Sequence, residues 1–173
     1  MPVAPGQLAP AVAAVTLDRE AEAPELAALG APVDLAALAA NRPALLFFYK
    51  GDCGACDAAA HVLPRLAAVP GLAVVAVSQD GTEATDGFSN AHRLAAGGVR
   101  VLVDPEPWPA SDAFGVAATP TFVLLARGGR VEAVVEGWSR DAANGLAVRA
   151  AALAGAPAPV VSTPHDGPSF RPG

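Results

Sequence analysis

Lysines and arginines form no cluster in this sequence, and its 173 residues carry a formal charge of −6 at pH 7. A polyanion would be repelled, so a nucleic-acid partner is not expected. Apolar runs are short: the main ones are Leu45 to Tyr49, Leu72 to Val77 and Phe122 to Leu125. None approaches the about 20 residues that a spanning helix needs, and the chain reads as soluble, with no membrane span. An export signal is missing too, since no basic residue precedes Arg19, and Pro5, Gly6 and Pro10 interrupt any apolar core. The expectation is a cytoplasmic protein, or an exported one whose leader has been removed. Cysteine is scarce, with two residues in the chain. Two do not make a disulfide framework, and a bridge between neighbours so close would close almost no loop. The pair, Cys53-Gly54-Ala55-Cys56, is therefore chemical rather than structural.

What is present is an alternation of strand-like and helix-like runs, the pattern of an α/β fold around a central sheet. Much of the 53% hydrophobic content is Ala. The core must rest on the fewer Leu, Val and Phe residues. Val12 to Leu17 is a weak strand, and Asp34 can cap a short helix that runs through Ala40. Ala44 to Tyr49 is a continuous apolar run, as expected of a strand buried on both faces. The CxxC follows the Gly51-Asp52 turn and opens a helix of about four turns reaching Ala68. Leu72 to Val77 is the next strand, Thr82 to Ala96 a helix, and Val99 to Val103 a strand. Ser111 to Phe114 is at most a short helix. Arg127-Gly128-Gly129-Arg130 joins the strands Thr121 to Ala126 and Val131 to Val135 as a hairpin. The last helix spans Ser139 to Leu153. One domain over residues 1–155 is expected, with a Pro-rich tail over 156–173 that is disordered or extended.

A CxxC can bind zinc, hold an iron–sulfur cluster or cycle between dithiol and disulfide. A structural zinc site takes four ligands, and beyond the cysteines only His61, His92 and His165 offer nitrogen; all three read as solvated surface side chains. No metal and no other cofactor is expected. Placement at the end of a buried strand favours redox chemistry. At a helix N-terminus the unpaired backbone N–H groups stabilise a thiolate, so Cys53 is the attacking sulfur. Cys56, one turn on and less accessible, is within disulfide reach and resolves the mixed disulfide. Lys50 would support the thiolate, and Asp52 and Asp57 would oppose it.

The segment Phe47-Phe48-Tyr49-Lys50-Gly51-Asp52-Cys53-Gly54-Ala55-Cys56, with Ala118-Thr119-Pro120-Thr121-Phe122, resembles the thioredoxin superfamily. Within it the chain is similar to the TlpA/ResA-like thiol–disulfide oxidoreductases and their redoxin relatives, which share its Pro5-Gly6-Gln7-Leu8-Ala9-Pro10 lead. The likeness runs from about Gly6 to Leu153 and implies a thioredoxin fold, a central mixed β-sheet flanked by helices, with an N-terminal extension and a helical insertion. It further implies a cis Thr119–Pro120 bond beside the cysteines, substrate contacts at Gly54, Ala55, Thr119 and Pro120, and backbone pairing between Thr119 and a bound chain. Three positions depart from the family pattern. Phe47 stands where thioredoxins carry a buried acid, Asp57 follows the second cysteine in place of a base, and His61 replaces a helix-kinking proline. Pro64 lies one turn later, which should shift any bend.

The expected function is reduction of protein or small-molecule disulfides by a monomer that an unidentified electron donor regenerates. Gly54-Ala55 lacks the His of strong oxidants, which puts the couple in the roughly −200 to −270 mV range of reducing exchange proteins. A peroxiredoxin-like peroxidase is an alternative, but the Pro-x-x-x-Thr/Ser-x-x-Cys pattern fits neither cysteine. A copper-handling module on the same fold would want a Met- or His-rich surface, and only Met1 is present.

Overall fold

The computed structural model describes residues 1–18 and 28–173. Seven strands form one sheet in the order β2-β1-β5-β4-β3-β6-β7. They are β1 (Ala13–Asp18), β2 (Ala28–Asp34), β3 (Ala44–Tyr49), β4 (Ala73–Ser78), β5 (Arg100–Val103), β6 (Thr121–Leu125) and β7 (Val131–Glu136). β3, β4 and β5 run parallel, while β1, β6 and β7 pair antiparallel with their neighbours. The sheet is therefore mixed, as expected. The hairpin of β6 and β7 turns through Gly128 and Gly129, both at positive φ, which glycine adopts without a Cβ clash.

Every residue of β3 is buried, because the sheet has a core on each face. Leu45, Phe47 and Tyr49 point to one core, and Leu46 and Phe48 to the other, following the two-residue period of a strand. Helices α1 (Gly54–Ala59), α2 (Val62–Ala67) and α5 (Arg140–Ala154) pack in the first core, as does Phe88 of α3 (Thr82–Ala91). Phe114 of α4 (Pro109–Phe114) and Leu35 pack in the second. No helix among the described residues is long and apolar enough to cross a membrane.

Four details differ from the sequence reading. β2 was not expected; its Ala, Gly and Pro content gives no strand signal, and its order comes from pairing with β1. The helix after the CxxC is interrupted at Ala60–His61, leaving α1 and α2. Pro64 explains the break, because it has no N–H to offer the carbonyl of Ala60 and its ring would collide with that oxygen. α3 stops at Ala91 rather than Ala96, where Arg93 turns to positive φ and the Leu94 N–H reaches back to Ser89 O at 2.8 Å. The fourth difference is the tail, which is neither disordered nor outside the core. Val161 is fully buried in the first core. Asn144 of α5 accepts from the N–H groups of Val161 and Ser162 and donates to Ser162 O. Farther on, the tail adds β9 (Phe170–Arg171) to β8 (Trp138–Ser139) as a two-stranded antiparallel pair. Pro-rich composition hid this because the tail docks through Asn144, Arg65 and Trp138 rather than through its own periodicity.

At the start of the chain, Gly6 N donates to Val131 O and Val131 N to Gln7 O, both at 2.8 Å, and Ala9 N donates to Gly129 O. The lead segment thus lies along the outer side of β7.

Candidate active site

Sheet register brings the site together. Phe48 pairs with Thr121 across β3 and β6. Residues following Phe48 and residues preceding Thr121 therefore leave the sheet at the same end, which sets the CxxC against Thr119 and Pro120. The Thr119–Pro120 bond is cis, as is Glu106–Pro107, which was not foreseen. Asp80, just past the parallel neighbour β4, accepts from the N–H of Gly51 and fixes the turn that leads into the CxxC.

Cys53 is the N-cap of α1, in extended conformation, and its Sγ accepts from the Cys56 N–H at 3.1 Å. A side chain that satisfies an orphan N–H of the first turn is the ordinary N-cap role, here performed by sulfur. The Cys53 thiol donates to Thr119 O at 3.2 Å. Cys53 is partly exposed and Cys56 fully buried, both as free thiols. Burial pushes the Cys56 thiol up, and the neighbouring Cys53 sulfur adds to this. Gly54 is exposed beside Cys53, Ala55 is buried, Thr119 is half-buried and Pro120 is buried.

Phe47, at the position of the family's buried acid, fills that space with a ring 4.9 Å from Phe122 and 5.5 Å from Tyr49, centroid to centroid. These rings share one buried core with Cys56. Burial also raises the Tyr49 hydroxyl above its ordinary value.

The charges near the cysteines are partly engaged elsewhere. Asp57 turns to His92, which caps the C-terminus of α3, with Oδ1 2.8 Å from Nε2. Lys50 places its Nζ 5.3 Å from the centroid of the Trp108 ring. His92 also packs on Phe88, at 4.3 Å between ring centroids. It is thus a packed side chain rather than a solvated one, and His61 is another. His61 Nδ1 lies 2.9 Å from Ala58 O and must carry the proton; Nε2 then accepts from Ser162 Oγ at 2.9 Å.

Burial holds the His61 imidazole below its ordinary value. The unfolded chain then takes up this proton first as pH falls, so the stability the neutral ring contributes is complete above the ordinary imidazole range and declines below it. Urea midpoints are expected to drop between pH 7.5 and pH 5, and to drop less in His61→Gln. An equal fall in both proteins would remove His61 from the tail's docking energetics.

Residues missed by the sequence reading belong to the tail. Arg171 reaches the CxxC turn so closely that a Cβ added to Gly54 would lie 2.5 Å from its Nη1. Gly173 sits against Thr119, where a Cβ would meet the carbonyl oxygen at 2.9 Å. Nothing in Phe170-Arg171-Pro172-Gly173 signals this, because the contact is set by the pairing of β9 with β8.

Residues 34–140 match the family described as TraF, F plasmid transfer operon protein. No curated protein matches the sequence. Among solved structures, MTB dsbF is 27% identical, with a TM-score of 0.66 over 87% of this chain and 99% of its own. A secreted disulfide oxidoreductase of Mycobacterium tuberculosis, homologous to E. coli DsbE, is 26% identical, with a TM-score of 0.58 over 72% of this chain and 82% of its own. The thioredoxin domain of a thiol-disulfide oxidoreductase from Bacteroides vulgatus shares the fold at 17% identity, with a TM-score of 0.66 over 86% of this chain and 99% of its own. With a mixed sheet, a CxxC at the head of α1 and these neighbours, the chain belongs to the TraF family and is a thioredoxin-fold relative of the DsbE- and TlpA-like thiol–disulfide oxidoreductases.

Proposed function

We propose that the protein reduces disulfides, with Cys53 as the attacking and Cys56 as the resolving thiol. The observation that carries this reading is the asymmetry of the pair: a partly exposed sulfur receives the Cys56 N–H at 3.1 Å, while its partner is fully buried. A hydrogen bond into sulfur is stronger when the sulfur is anionic, so the N-cap position favours attack by Cys53. Cys56, held as a thiol by burial, does not compete.

The Cys53 thiolate attacks one sulfur of the substrate disulfide; the S–S bond breaks and the departing sulfur takes the electron pair and a proton. Cys56 then loses its proton and attacks Cys53 in the mixed disulfide, releasing the second substrate thiol and closing the Cys53–Cys56 bond. Two electrons and two protons have passed to the substrate. A dithiol donor then reduces the Cys53–Cys56 bond with two electrons and two protons of its own and is itself oxidised to a disulfide. With Phe47 in place of an acid, that position offers the Cys56 proton no acceptor.

Equilibration of the Cys53–Cys56 couple with glutathione is expected to give a potential of roughly −200 to −270 mV. A value near that of a strong oxidant, about −120 mV, would reverse the direction of the reaction.

A further inference from the structure

We propose that residues 171–173 form a displaceable strap over the substrate groove, which a polypeptide disulfide must lift and a small disulfide need not. This rests on the assignment of Cys53 as the attacking sulfur. The groove is defined by that sulfur: Gly54 adjoins it in sequence, and Thr119 O accepts from it at 3.2 Å. This chain's own tail lies against both flanks. A Cβ on Gly54 would stand 2.5 Å from Arg171 Nη1, so the guanidinium must swing aside before even a methyl group is admitted there. On the other flank the Gly173 backbone lies against the Thr119 carbonyl. An extended chain advances about 3.3–3.6 Å per residue, so one carrying its disulfide to Cys53 must cross one of these flanks with the residues beside its cysteine. Cys53 nonetheless stays partly exposed, which leaves room for a substrate without flanking chain.

The anchoring of the tail is graded in a way that suits lifting of its end alone. Val161 is buried, and Asp166 makes a bidentate pair with Arg65, both contacts at 2.8 Å. Closer to the groove, Trp138 Nε1 donates to Pro168 O at 2.7 Å, and Arg140 N donates to Ser169 O at 2.8 Å. Beyond them β9 has two residues, both exposed, and the guanidinium of Arg171 makes no hydrogen bond or ion pair among the described residues. A short, exposed two-residue pairing has little local stability.

The test uses the full chain with Cys56→Ser, so that an adduct on Cys53 persists. One sample carries a methylthio group introduced by methyl methanethiosulfonate, and the other a mixed disulfide with a cysteine-containing decapeptide. Amide hydrogen exchange at Phe170 and Arg171 is expected to rise about tenfold with the peptide and stay unchanged with methylthio, while Arg140, whose partner Ser169 O lies in the anchored part, is unchanged in both. Equal exchange at Phe170 and Arg171 in the two adducts would overturn the strap. In the catalytic protein, Arg171→Ala is expected to raise kcat/KM for insulin about threefold to tenfold and leave that for hydroxyethyl disulfide within about twofold. The same change for both substrates, or none for insulin, would also overturn it. The adduct experiment needs only an alkylatable Cys53, so a protein that turned over neither substrate would refute the proposed reduction without deciding the strap.

Discussion

Replacing Cys53 with serine is expected to lower the dithiothreitol-driven reduction of insulin by about a thousandfold or more, to the uncatalysed rate. The variant exchanges a thiol, whose thiolate is the nucleophile, for a hydroxyl that is not one under these conditions, and the nucleophile is lost outright. Its structural effect should be slight. Cys53 is an N-cap whose Sγ accepts one backbone N–H, and a serine hydroxyl accepts that bond at least as well. Unchanged near-ultraviolet dichroism with no turnover would isolate the chemical role. Turnover at the wild-type rate would mean that the reducing sulfur is not Cys53.

Cys56→Ser is the second large effect and has a different signature. Attack by Cys53 remains, but the mixed disulfide has no internal route to resolve, so catalysis is expected to fall about a hundredfold or more while covalent adducts accumulate. Mass spectrometry of the quenched reaction should find substrate on Cys53. A variant that accumulated no such adduct would exchange the roles of the two cysteines or remove the two-step path. The substituted position is fully buried, and the wild-type thiol is held protonated there by burial. A buried hydroxyl is similarly neutral, so the trap follows from lost nucleophilicity and not from altered charge.

The central part of this architecture is legible in the sequence because its signals are local. Ala44 to Tyr49 reads as a doubly buried strand since both faces of β3 meet a core, and all six residues are buried. The Gly-Gly turn between β6 and β7 is equally plain, as glycine is what its positive φ angles require. The pairing of Cys53 with Thr119 is less direct, for it depends on the register of Phe48 with Thr121, and only the family likeness suggests it. Contacts built from single side chains were not legible. Asn144 bonds the tail through three hydrogen bonds, yet in the sequence it is one polar residue among helical alanines. The contact of Asp57 with His92 ties α1 to the C-terminal end of α3, and neither residue predicts its partner. Arg171 is the extreme case. Its place beside Gly54 depends on a two-residue strand pair, which is shorter than any hydrophobic period can reveal.

The lead segment along β7 has a bearing on how this molecule meets its own copies. β7 is the terminal strand of the seven-stranded sheet, and a terminal strand normally offers a row of unpaired backbone groups on which a second sheet can grow. Here the amide and carbonyl of Val131 are already taken by Gln7 and Gly6, and the carbonyl of Gly129 by Ala9. Arg130 extends over the same stretch to donate to Gly6 O. What remains of the border is the run from Glu132 to Glu136, bounded by a carboxylate at each end. An incoming strand from an identical molecule would set these charges against like ones, so hydrogen-bond exhaustion at one end and like charge at Glu132 and Glu136 both oppose growth of the sheet at this border.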